Sequence, residues 1–290
     1  MEIRTREVRA GDLTFAILEI GSGPLALCLH GFPDTAYTWR HLLPELAAAG
    51  FHAVAPFTRG YAPTGIPRDG CYSLGALAYD ANMLHEVLNG DDRAVLIGHD
   101  WGAETAYPAA TSAPDRWARL VTLSVPPAAL DDVLFRDYEQ LKNFFYLFAL
   151  QESGAEELVS ADDMDFLRRL WADWSPGYGA DEDLAHVRRA LADHAHLSAA
   201  IGYYRATAAK KRGACSAYAR EDAAVMQTSP QPTLYLHGAR DGCIRVELVA
   251  DVLRYLPPGS RREIVEGCGH FLQLEQPRTV NDLIISWVTT

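Results

Sequence analysis

The residues best suited to do chemistry are Gly98-His99-Asp100-Trp101-Gly102. They follow a short run, apolar from Ala94 to Ile97, that reads as a buried strand, and they precede Ala103–Tyr107, which reads as a helix start. A strand, a tight turn and a helix project the central side chain outward. The flanking glycines are needed because a Cβ at either position would collide with the neighbouring strand or helix. The projected residue is an aspartate. A serine there would need a base to take its proton before it could attack. A carboxylate is already ionised at neutral pH and attacks an sp³ carbon directly. That attack makes an alkyl ester of Asp100, which must then be hydrolysed.

Ester hydrolysis needs a base, a group that orients the base, and donors for the oxyanion. His270, in Gly267-Cys268-Gly269-His270-Phe271, is the base: of ten histidines it alone follows a strand near the end of the chain on a glycine-rich loop. Asp241 follows the strand-glycine segment Thr233–Gly238, and it fixes the tautomer of His270 and stabilises the imidazolium. Its competitors Glu263 and Glu266 follow no such turn. The apolar run Leu25–Leu29 ends in His30-Gly31-Phe32-Pro33, and the backbone N–H groups of Phe32 and Trp101 are the expected oxyanion hole. His30 and His99 are expected to orient loops. His194 and His196 stand two apart on a helical pattern and point different ways, so they are not read as metal ligands. No metal or cofactor is expected.

Short apolar runs alternate with helical patterns over 1–126 and again over 228–290, which implies a mostly parallel sheet with helices on both faces. Leu13–Glu19, Leu25–Leu29, Phe51–Pro56, Leu120–Val125, Thr233–Leu236 and Arg262–Val265 are the expected strands. Trp39–Ala49, Leu74–Leu88, Arg245–Tyr255 and Arg278–Val288 are the expected helices. The stretch 127–227 lacks buried strands and is dense in aromatics; it reads as a helical cap inserted into the α/β core, whose rings wall an apolar pocket.

With 49% hydrophobic and 22% charged residues the chain builds an ordinary globular core. A net charge of −12 disfavours nucleic acid and anionic membranes as partners. The basic cluster Lys210-Lys211-Arg212 is a solvated face. No run approaches the ~20 apolar residues that cross a bilayer, and none resembles a signal peptide, so a cytoplasmic location is expected. Five cysteines without Cys-x-x-Cys spacing suggest free thiols in a reducing compartment, with Cys28 acting as a small hydrophobe in its strand. A homodimer is compatible with the sequence.

Nucleophile, acid and histidine in that chain order, with His-Gly-Phe-Pro and Gly-His-Asp-Trp-Gly, resemble the α/β-hydrolase-fold epoxide hydrolases over nearly the full length. The resemblance implies a small hydrophobic epoxide and water as substrates, and a diol product. It also implies two cap tyrosines that hydrogen-bond the epoxide oxygen. Phe145-Tyr146-Leu147-Phe148 is similar to the family's first tyrosine segment and assigns that role to Tyr146, with Tyr138 a remote substitute. Gly202-Tyr203-Tyr204-Arg205 is similar to the second and assigns it to Tyr204, with Tyr203 an alternative. The chain departs from the family at Phe57-Thr58-Arg59-Gly60-Tyr61, where an acidic residue commonly precedes Arg-Gly-Tyr; the expected effect is on loop packing. Two rivals stay open. A haloalkane dehalogenase shares the aspartate but needs N–H donors for halide. Trp101 offers one and Phe32 none, leaving Trp171 or Trp174 as the second. A non-enzymatic ligand-binding protein on the same fold is the other. A serine-type esterase is excluded by Asp100.

Overall fold

The computed structural model describes residues 2–208 and 215–290, so the Lys210-Lys211-Arg212 cluster lies outside the described residues. The apolar runs become β2 (Leu13–Gly21), β3 (Leu25–Leu29), β4 (His52–Pro56), β5 (Val95–His99), β6 (Arg119–Leu123), β7 (Thr233–Gly238) and β8 (Arg261–Val265). With β1 (Arg4–Ala10) they form one sheet in the order β1-β2-β4-β3-β5-β6-β7-β8. β1 and β2 run antiparallel to their neighbours and all other pairs are parallel. Every residue of β3, β5 and β7 is buried, as expected of strands covered on both faces. β1 carries no apolar pattern because it is an exposed edge, held through its ladder to β2 and by Arg6 on Glu19 at 2.8 Å.

Helices α1 (Leu42–Ala48) and α12 (Pro277–Val288) pack together on one face, and α2 (Leu74–Val87) and α3 (Trp101–Ser112) on the other. α12 buries Val280, Ile284 and Val288. Short α11 (Leu272–Glu275) follows the His270 loop. The expected helix Arg245–Tyr255 is instead two 3-10 turns, Val246–Val249 and Val252–Tyr255. Arg262 donates to the carbonyls of Val249 and Ala250, so the chain need not continue a helix to satisfy them.

Between β6 and β7 the described residues are helical or irregular: α4 (Asp131–Leu134), α5 (Tyr138–Asn143), α6 (Phe145–Ala149), α7 (Ala155–Trp174), α8 (Asp181–Ala190), α9 (His194–Ala208) and α10 (Ala219–Ala224). α7 leaves helical geometry at residues 161–164. α10 packs on α2 and α3, against the core helices.

That packing corrects the cysteine expectation. Cys71 and Cys215 form a disulfide across 144 residues of sequence, while Cys28, Cys243 and Cys268 are free and buried. Spacing rules look for local pairs and cannot see a pair joined by helix docking. Thiol titration of the unfolded chain should give three groups before reduction and five after. Five before reduction would contradict the bond, whose loss should cost about 2–5 kcal/mol of stability.

Candidate active site

The parallel strands deliver the expected site residues to one end of the sheet: Phe32 just after β3, Asp100 at the end of β5, Asp241 after β7 and His270 after β8. Asp100 sits at φ 53°, a conformation rarely adopted outside glycine, between β5 and α3. A Cβ on Gly98 would lie 2.1 Å from the carbonyl oxygen of Gly102, and one on Gly102 would lie 2.1 Å from that of Leu29. Both glycines are therefore required by contact. Gly31 is required for a different reason: a Cβ there would meet Asp100 Oδ1 at 2.1 Å.

The Phe32 N–H donates to Asp100 Oδ1 at 2.7 Å. The loop carrying it is braced by His30, whose Nδ1–H donates to the Gly31 carbonyl at 2.9 Å while Nε2 accepts the Thr58 N–H at 3.0 Å. Burial lowers the His30 pKa to about 4, which keeps the ring neutral for that pair of bonds. Thr58 thus stands against His30, and Arg59 forks onto Asp80 at 2.6 and 2.7 Å; the departure before Arg59-Gly60-Tyr61 is accommodated within loop packing. His99 Nε2–H and the Ser124 hydroxyl both donate to the His270 carbonyl, at 2.9 and 2.6 Å. Both motif histidines orient loops.

His270 lies between two carboxylates. Its Nδ1–H donates to Asp241 Oδ2 at 3.0 Å, and Nε2 stands 3.6 Å from Asp100 Oδ2 with no hydrogen-bond partner among the described residues. The ring is fully buried. Burial by itself would lower its pKa, but Asp241 and Asp100 overcome that and raise it to about 10. Asp241 is itself fixed: Oδ1 accepts the N–H groups of Cys243 and Ile244 at 2.7 and 3.0 Å. Glu263 pairs with Arg261. Asp241, Cys243 and His270 bring one ligand atom each within 4.8 Å, as a metal site would. Their hydrogen bonds, and a Cys243 thiol held protonated by burial, account for the cluster without an ion.

Above Asp100 opens a cavity of about 510 Å³ lined by both Tyr146 and Tyr204 and mostly by apolar side chains. Tyr204 packs edge-on against Phe32 and Trp101, with centroids at 5.1 and 5.2 Å, and Tyr146 packs on Tyr204 at 5.8 Å. Burial and the nearby Asp100 charge push both phenols well above their usual range. Tyr203 lies outside this cavity and donates its hydroxyl to the Arg59 carbonyl at 2.8 Å; Tyr138 is exposed. The alternatives to Tyr204 and Tyr146 are thereby separated from Asp100. The indole of Trp171 donates to the Pro33 carbonyl at 2.9 Å, and neither Trp171 nor Trp174 lines the cavity above Asp100.

Residues 24–277 match the family described as alpha/beta hydrolase fold. The chain is 30% identical to epoxide hydrolase A of Mycobacterium tuberculosis, over 99% of this chain and 94% of that one. It belongs to the epoxide hydrolase family. It is also 32% identical to epoxide hydrolase 4 of Homo sapiens, over 90% of this chain and 71% of that protein. The solved structure of an epoxide hydrolase from an endophytic Streptomyces is 28% identical, with a TM-score of 0.80 over 99% of this chain and 95% of that one.

Within this epoxide hydrolase fold the helical segment between β6 and β7 does more to hold the site than the sequence reveals. The carbonyl of Trp174, at the end of α7, accepts the His270 N–H at 3.0 Å, and the Ser175 hydroxyl accepts the Phe271 N–H at 3.1 Å. Fully buried Gln140, on α5, donates to the Cys243 carbonyl at 2.7 Å and accepts the Arg245 N–H at 2.9 Å. These contacts join segments about 100 residues apart. Among the described residues no helix is long and apolar enough to cross a membrane.

The carboxylate pair makes a pH prediction. The folded His270 pKa lies above its ordinary 6.5, so the stability it contributes is full below about 6.5 and is lost as pH rises through about 10. NMR titration of the imidazole should give a midpoint near 10, falling toward the ordinary value in Asp241→Asn. An unchanged midpoint in that variant would remove Asp241 as the cause.

Proposed function

We propose that this enzyme hydrolyses a hydrophobic epoxide to a vicinal diol through a covalent ester on Asp100. The observation that carries the reading is one cavity lined by a carboxylate at its floor and by two buried phenols, with an imidazole behind the carboxylate. An Asp100 oxygen attacks the less hindered or better activated epoxide carbon, and the C–O bond of the ring breaks. Its electrons stay on oxygen as a developing alkoxide, which Tyr146 and Tyr204 hydrogen-bond and to which one of them gives its proton.

Ester formation removes the negative charge of Asp100 from beside His270. The pKa of the imidazolium falls, and its proton passes through solvent to the tyrosinate. The neutral ring then takes a proton from water at the unpartnered Nε2, and hydroxide attacks the ester carbonyl. The oxyanion that forms on Asp100 is stabilised by the Phe32 N–H, already 2.7 Å from Oδ1, and by that of Trp101. Collapse expels the diol oxygen, which takes the second water proton. The enzyme returns to the carboxylate, the imidazolium and two neutral phenols, so atoms and charges balance. The haloalkane alternative is disfavoured by the indole positions. The apolar cavity walls favour an alkyl or aryl epoxide.

The reading is tested by assaying diol formation from aryl and aliphatic epoxides beside halide release from haloalkanes. Diol without halide is expected, and halide alone would overturn it. In His270→Gln the alkylated enzyme should accumulate, seen as an intact-mass increase equal to the substrate. Ester decay in the wild type should slow as pH falls, because the base must be neutral, while alkylation should not. Tyr146→Phe and Tyr204→Phe should each slow alkylation by about 10²-fold, and the double variant should nearly abolish it. Wild-type turnover in the double variant would remove the tyrosines from the reaction.

A further inference from the structure

The hydroxyl of Tyr146 has a partner that the proposed reaction does not use. It lies 3.3 Å from Cys243 Sγ, in the wall of the Asp100 cavity. Both side chains are buried, with Tyr146 at 4% and Cys243 at 2% exposure. Cys243 is held from both sides of its peptide: its N–H donates to Asp241 Oδ1 at 2.7 Å, and its carbonyl accepts from Gln140 Nε2 at 2.7 Å. The sulfur is therefore fixed by the acid loop of the core and by the cap together. The Tyr146 ring is fixed separately, edge-on to Trp174 at 4.9 Å and to Tyr204 at 5.8 Å.

A buried phenol needs an acceptor when the cavity holds no substrate. The choice of acceptor matters for a proton donor. A hydroxyl or amide oxygen would satisfy the phenol strongly and would compete with the incoming epoxide oxygen. A thiol sulfur is a weak acceptor. It orients the hydroxyl and gives it up at little cost.

We propose that Cys243 is a positioning residue for the Tyr146 proton donor, holding its hydroxyl in the empty cavity and yielding it to the epoxide oxygen when substrate binds. The proposal rests on the reading of Tyr146 as a donor in alkylation. It also implies a direction opposite to that of a packing role. A residue conserving volume should suffice for packing, so serine would be tolerated and alanine would be harmful. A residue chosen for weak acceptance should be harmed by serine and should tolerate alanine.

The test is single-turnover alkylation of excess enzyme by an aryl epoxide, followed by intact mass, in wild type, Cys243→Ser and Cys243→Ala, each with Tyr146 or Tyr146→Phe. Cys243→Ser should slow alkylation by about tenfold, the cost of one competing neutral hydrogen bond. Cys243→Ala should slow it by less than about threefold, because only a weak acceptor is lost. Ester decay should follow the wild type in both, and the serine–alanine difference should vanish in Tyr146→Phe. The reverse order, or a difference that persists in Tyr146→Phe, would overturn the proposal. If Tyr146→Phe is slow but serine and alanine are equal, the proposal alone falls. If Tyr146→Phe alkylates at the wild-type rate, the donor assignment falls and takes the proposal with it. A measurement that leaves Cys243 unchanged guards against misfolded variants: its S–H infrared band, identified by its loss in Cys243→Ala, should shift in Tyr146→Phe, and a band that does not move would overturn the contact.

Discussion

The Asp100 carboxylate can occupy only one place, and most of the site is arranged around that restriction. Its backbone is held at φ 53° by a turn with no room for a Cβ on Gly98 or Gly102. One oxygen is anchored by the Phe32 N–H at 2.7 Å, in a space that exists because residue 31 is glycine. The other oxygen faces His270. A larger residue at 31 would displace the carboxylate itself, while a larger one at 98 or 102 would displace the strand or helix that carries it. The positive φ and the tight contacts are tolerated because the sheet and α3 overdetermine the turn.

The second constraint is electrostatic. A fully buried imidazole would ordinarily be neutral, yet two carboxylates within 3.6 Å make the cation the favoured form. The site therefore holds a charge pattern that any change at Asp100 must disturb. Neutralising that carboxylate weakens the hold on the proton, so the protonation of His270 follows the chemical state of its neighbour. The loop that presents His270 is tied to the Trp174 carbonyl, Ser175, His99 and Ser124, which keeps the ring in place while its charge changes. The helical segment between β6 and β7 thus braces the His270 loop as well as lining the cavity.

How far the sequence reveals this depends on how local each feature is. The Asp100 turn, the Phe32 turn and the His270 loop are each encoded within five to nine residues, so glycine spacing beside an apolar run identifies them. Asp241 is legible because it follows a strand and a glycine. Tyr146 and Tyr204 are legible only through resemblance, since nothing in an aromatic helical pattern says which ring faces Asp100. Tyr203 shows the difficulty: it is adjacent to Tyr204 and equally buried, yet its hydroxyl is spent on the Arg59 carbonyl. Gln140, Cys243 and the Cys71–Cys215 bond are invisible in sequence because each joins residues 97 or more apart. β1 is hidden because an edge strand needs no apolar face. The 245–255 segment misleads because its amphipathic spacing suits 3-10 turns as well as a helix.

The central claim is that water attacks an ester of Asp100 and never the epoxide itself. It is tested most directly by a single turnover in ¹⁸O-water with enzyme in excess over an aryl epoxide, followed by mass analysis of the diol and of the peptide containing Asp100. The account predicts unlabelled diol and one ¹⁸O in the Asp100 carboxylate, because the oxygen delivered to the product comes from the enzyme. Fully labelled diol with an unlabelled Asp100 would contradict it.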